Sequence, residues 1–168
     1  MNNYTIKYSQ EQVNVAVARL QEELQSFLEE DAIVVVVMNG GVFLSSRLLF
    51  DLSVPVDIRY VKVTSYTGKQ QGELRVEDSA LGDVNGRSVV VVDDICDSGN
   101  TVNRINSLLL DRGATAVRYF TLLKRSCATL DEGVELHSGI YDDSSDFFVG
   151  CGLDDNGVGR NLPFVGVL

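Results

Sequence analysis

The stretch 89-VVVVDDICDSGNT-101 decides how this chain is read. Four consecutive β-branched residues form a short apolar run of the kind found in strands buried on both faces of a parallel sheet. The run ends on two adjacent carboxylates, Asp93 and Asp94. It then breaks into Asp97-Ser98-Gly99-Asn100-Thr101, from which "NTVNRINSLLLDRG" continues as a helix closed by Gly113. Ligands of open α/β sheets bind at the carboxyl ends of strands, where these acids lie. Gly99 permits a tight turn, and successive backbone N–H groups at a helix start cradle an anion. Ser98 and Thr101 add hydroxyl donors. A phosphate on the loop and a hydroxyl-rich sugar on the carboxylates is the pairing these residue types suit. Two carboxylates also suit Mg²⁺, which keeps several waters and ligand oxygens.

Two other readings use the same residues. Small polar residues at a helix start often do no more than cap it. Here the valine run and paired acids upstream favour the anion cradle. An acidic pair after a strand also marks receiver domains, but there it lies near the domain start; here it falls mid-chain.

Outward from this segment the chain alternates strand and helix. Ser9 and Gln12 form a capping-box pattern, and Val13, Ala16, Val17, Leu20, Leu24, Phe27 and Leu28 follow at helical spacing, predicting a helix from about Ser9 to Glu30. "AIVVVVM" reads as a buried strand, "NGG" as a turn, "VFLSSRLLFDL" as a second helix and "VDIRYVKVTSY" as a strand. The polar stretch 67–86 is long for a plain connection and suits a lid or small hairpin. "AVRYFTLLKR" is a further strand and "DFFVGCG" a short one. The expected fold class is α/β, with a mostly parallel central sheet flanked by helices and a small subdomain built from the terminal segments.

Composition sets limits. The 168 residues fit one domain, 1–168, and the 45% hydrophobic content supplies a core. A net charge of −10 argues against nucleic acid bound through a dominant basic surface, while leaving room for a locally positive anion site. Cys96, Cys127 and Cys151 are odd in number and lack CxxC spacing, as expected of free thiols in a reducing compartment. "MNNYTIKYSQ" has no apolar core for a secretion signal, and no run reaches membrane-spanning length, so a cytoplasmic setting without membrane contact is expected.

The segment 89–101 is similar to the phosphoribosyl-pyrophosphate motif of type I phosphoribosyltransferases. "VVVVMNGGVFL" resembles their pyrophosphate loop, "VTSYTG" the start of their mobile lid with Ser65 and Tyr66, and "LLKR" supplies a lysine after a later strand. The tail "DFFVGCGLDDNGVGRNLPFVGVL" closely resembles the end of hypoxanthine-guanine phosphoribosyltransferases, and the resemblance runs from about Val34 to Leu168.

The resemblance implies a purine salvage enzyme that moves the 5-phosphoribosyl group of phosphoribosyl pyrophosphate onto hypoxanthine or guanine, with Mg²⁺, in a homodimer or homotetramer. It implies Asp97 as general acid/base at purine N7, and Asp93 and Asp94 on the ribose hydroxyls, directly or through metal. Ser98, Gly99, Asn100 and Thr101 would hold the 5′-phosphate. Asn39, Gly40 and Arg160 would hold pyrophosphate. Lys124 would reach the purine O6, Phe147 would stack on the base, the Phe148 carbonyl would accept from N1, and Asp154 would lie near metal and base. It also implies a cis peptide at Met38–Asn39, and the terminal subdomain becomes a base-binding hood. The chain departs from the family at Asn39, Cys151 and Asp155 and in the acidic segment 131–146. Readings of another class are a nucleotide-sensing regulator on the same fold, which would carry a basic face or an extra domain, and a phosphoribosyltransferase for xanthine.

Overall fold

A computed structural model describes residues 4–50, 52–65 and 74–168. The elements in chain order are β1 (Thr5–Tyr8), α1 (Gln10–Phe27), β2 (Ile33–Met38), α2 (Gly41–Leu48), β3 (Asp57–Ser65), β4 (Leu74–Glu77), β5 (Ser88–Cys96), α3 (Asn100–Asp111), β6 (Ala116–Arg125), β7 (Glu135–Asp142), β8 (Phe148–Val149) and β9 (Val165–Val167). A six-stranded sheet runs β4-β3-β2-β5-β6-β7, and a three-stranded sheet runs β1-β9-β8. Every pair of the large sheet is parallel except β3–β4. The small sheet is antiparallel and joins the chain's first strand to its last two.

The two faces of the large sheet bury different halves of the valine runs. Val34, Val90, Val92 and Phe120 pack with Val13, Val17, Leu20 and Leu24 of α1 and Leu44 and Leu48 of α2. Ile33, Val35, Val89, Val91 and Tyr119 pack with Val102, Ile105 and Leu109 of α3. Alternating side chains of a central parallel strand thus meet a helix layer on either side, which is why these strands are apolar throughout. Ser9 caps α1 with both reciprocal bonds of the capping box, to and from Gln12.

The structure differs from the expected elements at several places. Helix α1 ends at Phe27 rather than near Glu30, because Leu28 turns extended at φ −72°, ψ 124°. Helix α2 ends at Leu48, short of the expected "LLFDL" extension. Strand β4 occupies part of the polar stretch 67–86 as the partner of β3, and β7 forms from the acidic segment. Of the expected lid pair, Ser65 ends β3 and Tyr66 lies outside the described residues. No described helix is long and apolar enough to cross a membrane.

Candidate active site

The loop after β5 is built around Gly99. Its φ is +93°, and a Cβ there would lie 2.1 Å from the Thr129 carbonyl oxygen, so both backbone conformation and packing require glycine. Thr129 N–H donates to the Ser98 carbonyl at 3.0 Å, and the Asn103 side chain donates to the Thr129 carbonyl at 3.0 Å, so segment 129 clasps the loop from outside. Gly99 is the N-cap of α3 and no side chain caps the helix. Its first amides therefore remain available to an anion. A cavity of about 250 Å³ opens here, lined on one side by Asp93, Asp94 and Asp97 and on the other by Ser98, Gly99 and Thr101. Asn100 does not line it; its backbone N–H is 3.3 Å from Ser98 Oγ.

Behind this loop the acidic pair meets the β2–α2 turn. The Met38–Asn39 peptide is cis, as the resemblance implied. Gly40 is buried against Asp94, and Gly152 crosses so closely that a Cβ on it would sit 2.3 Å from the Gly40 carbonyl oxygen. Asp94 is buried and accepts the Ile95 N–H at 2.8 Å, while Asp93 is half-buried and accepts the Asp94 N–H at 2.9 Å. Burial pushes the Asp93 carboxyl well above the usual carboxylate range, and the Asp94 charge pushes it further. Burial raises Asp94 as well, against the pull of its hydrogen bonds and of Arg160.

Arg160 lies 3.9 Å from Asp94, donates to the Gly152 carbonyl at 2.5 Å and pairs with Asp154 at 2.5 Å. Its charge thus bridges the acidic pair and Asp154. Among the described residues no three metal-ligating side chains converge, so Asp93, Asp94 and Asp154 do not form a ready triad. The adjacent pair Asp93 and Asp94 does fit a hard cation that draws its remaining oxygens from water and ligand. Uncompensated buried charge is what such a cation would relieve.

A second cavity, about 310 Å³, adjoins the first and shares Asp94, Ile95 and Asp97 with it. Its far wall is Phe147, Phe148, Leu153, Asp154 and Arg125. Phe148 is buried and Phe147 is 54% exposed, standing at the mouth. Lys124 lines neither cavity. It pairs in register with Cys96 and Tyr141, and beside Cys96 its charge draws down a thiol that burial raises. Arg125, the next residue, lines the second cavity. Its Nε pairs with Asp97 Oδ1, and its guanidinium stacks on Phe148 with Cζ 4.5 Å from the ring centroid. The family resemblance singled out Lys124, and strand parity was the sequence signal that bore on Arg125. That parity is disturbed here, since Leu122 and Leu123 are both fully buried.

Two of the departures noted in sequence, Cys151 and Asp155, do not line the second cavity. Cys151, at φ +52°, lines a separate cavity between α1 and α2, and the Asp155 backbone closes a turn with Val158 at 2.9 Å. All three cysteines are free thiols. His137 stacks on Phe120 at 4.9 Å and its Nδ1 is 3.0 Å from the Glu23 carboxylate.

This geometry can be set beside known proteins. Residues 8–156 match a family described as "Phosphoribosyl transferase domain". The chain is 30% identical over 167 residues to a hypoxanthine-guanine phosphoribosyltransferase of Mycobacterium tuberculosis, covering 94% of this chain and 82% of the relative. It is 28% identical over 166 residues to a Streptococcus pyogenes protein of the same name, covering 97% and 92%. A Bacillus anthracis hypoxanthine-guanine phosphoribosyltransferase crystal structure superposes with a TM-score of 0.87 at 26% identity over 99% of both chains. With its acidic pair, glycine-capped anion loop and cis peptide in the matching order, the chain belongs to the hypoxanthine-guanine phosphoribosyltransferase family.

Proposed function

We propose that the protein transfers the 5-phosphoribosyl group of phosphoribosyl pyrophosphate to the 6-oxopurines hypoxanthine and guanine, yielding the nucleotide and pyrophosphate. The observation that carries the reading is the junction of two cavities at Asp94, Ile95 and Asp97: one faces an open helix N-terminus, the other an aromatic wall. A sugar bridging phosphate and base would have to span that junction.

In this reading Ser98, Gly99, Thr101 and the first amides of α3, Asn100 included, hold the 5′-phosphate. Asp93 and Asp94 hold the ribose hydroxyls and would hold Mg²⁺, which when bound neutralises charge on the departing pyrophosphate. The Asn39–Gly40 backbone meets the pyrophosphate, and Arg160 exchanges Asp154 for that more highly charged partner. The carboxylates favour the positive charge that grows on the ribosyl ring as the bond to pyrophosphate lengthens. Asp97, 65% exposed, handles the proton at the imidazole edge of the purine. Phe147 stacks on the base, the Phe148 carbonyl meets N1, and Lys124 turns from its Cys96 side to reach O6. Ser65 and Tyr66 begin a lid that excludes water. The active form is a homodimer or homotetramer in the cytoplasm.

The test is nucleotide formation from hypoxanthine, guanine, xanthine and adenine in parallel, with phosphoribosyl pyrophosphate and Mg²⁺, beside Asp97→Asn. Turnover of 6-oxopurines falling by about 10²–10⁴-fold in the variant is expected for a lost general acid/base. Turnover of xanthine alone would move the substrate. Absence of turnover with nucleotide still bound would overturn the enzyme reading in favour of a nucleotide-sensing regulator.

A further inference from the structure

Arg125 ends β6 as a charged side chain only 14% exposed, and its guanidinium is fully engaged. Nε pairs with Asp97, Nη1 donates to the Ser144 carbonyl, Nη2 donates to the Asp146 carbonyl at 2.5 Å, and the flat face lies on Phe148. These partners come from two separate segments, the β5–α3 loop and the turn between β7 and β8. One carries the exposed carboxylate at the junction of the cavities. The other leads directly into Phe147 at the cavity mouth. A second cation backs the same turn: Lys7 of β1 bonds Ser144 Oγ at 2.5 Å and Asp146 Oδ2 at 2.6 Å, and its Nζ stands 5.3 Å from the Phe148 centroid. The acidic residues of segment 131–146 nearest the cavity, Asp142 and Asp146, are thus counter-charges for Lys7.

We propose that Arg125 is a positioning residue that sets the base pocket, fixing the Asp97 carboxylate and the turn before Phe147 at one spacing through a single rigid fork. This rests on reading the second cavity as the base site. Isolated exposed ion pairs contribute little, but a planar guanidinium with three directed partners and a stacked ring is not interchangeable with a point charge. The neighbouring Lys124 is in register with Cys96 and does not line the second cavity.

The experiment compares Arg125→Lys and Arg125→Gln with Arg118→Gln. Arg118 is the control because it also stacks on an aromatic ring, 4.8 Å from the Phe27 centroid, and pairs with Glu135, at the opposite end of the same strand. Steady-state kinetics with hypoxanthine should show KM for the base raised about 10- to 100-fold in both Arg125 variants, the range for lost charge-assisted hydrogen bonds. KM for phosphoribosyl pyrophosphate should move by no more than about twofold, since the phosphate loop is held by segment 129 instead. Amide hydrogen exchange of residues 142–149 in the ligand-free protein should accelerate in both Arg125 variants and not in Arg118→Gln. Rescue by lysine, equal changes in both KM values, an equal rise in base KM for Arg118→Gln, or unchanged exchange would each overturn the proposal. If the wild-type protein turns over no base, the enzyme reading falls, and the exchange measurement alone decides whether Arg125 clamps the turn.

Discussion

Gly40 and Asp94 are packed so closely that a Cβ on Gly40 would lie 1.9 Å from Asp94 Oδ2 and 2.3 Å from its Cγ. The β2–α2 turn and the acidic pair are therefore set against each other by the absence of a side chain. Gly40→Ala must displace either the Asp94 carboxylate or the loop. A misplacement of about 1 Å in such a site costs about 10²-fold, so kcat/KM for phosphoribosyl pyrophosphate should fall by about that factor while KM for the purine changes little. Steady-state kinetics with each substrate varied in turn checks both halves.

Gly99 carries a different constraint. Alanine there would take on a left-handed conformation at φ +93° and press on the Thr129 carbonyl. The conformation alone costs about 1–2 kcal/mol, and the clash adds to it. Thermal unfolding of Gly99→Ala should shift down by about 4–8 °C, as expected for about 2 kcal/mol in a chain of this length. Nucleotide should bind more weakly, because the loop and the first amides of α3 move together.

The parts of the fold that position the phosphate site were legible because they are locally encoded. Valine runs in β2 and β5 face helices on both sides, and Gly99 and Gly113 punctuate α3 at φ +93° and +84°. Strand β7 was not legible: "ELHSGIYD" lies at the sheet edge, exposes Glu135 and Tyr141, and lacks an apolar run. The small strands β1 and β9 are specified by pairing across the whole chain, Thr5 with Val167, which no local window contains. In the site, residue types announced the chemistry, but not the partners. That Arg160 engages Asp154, and that Arg125 rather than Lys124 lines the second cavity, follows from side-chain direction at the ends of elements.

The small sheet is tied to the large one through Asp142, and this makes stability depend on pH at both ends. Burial alone would raise the Asp142 carboxyl, but hydrogen bonds from Ser144, Tyr8 and Lys7 overcome it and hold it far below the usual range. A depressed folded pKa gives stability that is complete above the unfolded value of about 3.9 and is lost as pH falls toward the folded one. Tyr8 is pushed up to about 12, first by burial and then by its bond to Asp142. Lys7 is raised chiefly by its bond to Asp146. Raised folded values give stability complete below about 10 and lost as pH climbs through the folded values. For these three groups the contribution to denaturant unfolding should therefore form a plateau from about pH 4 to 10 with losses on either side. Asp142→Asn should flatten the acid limb and lower the plateau by about 2–4 kcal/mol, whereas Tyr8→Phe should reduce the alkaline loss between about pH 10 and 12.

The acidic pair should display the opposite balance, function held at the expense of stability. Asp93 and Asp94 are adjacent, share a site that burial makes hostile to charge, and have Arg160 as their nearby cation, 3.9 Å from Asp94 and already paired with Asp154. A raised folded pKa means that the folded state prefers Asp93 protonated, so its contribution is lost as pH rises through that raised value. Asp93→Asn removes that repulsion and keeps the oxygen that accepts the Asp94 N–H. The ligand-free variant should melt at a higher temperature than the wild-type protein at pH 7.5, and the difference should vanish near pH 4. Added Mg²⁺ and phosphoribosyl pyrophosphate should stabilise the wild-type protein more than the variant, whose kcat/KM should drop by at least about tenfold. A variant that melts lower at both pH values would show instead that the Asp93 charge is satisfied within the fold.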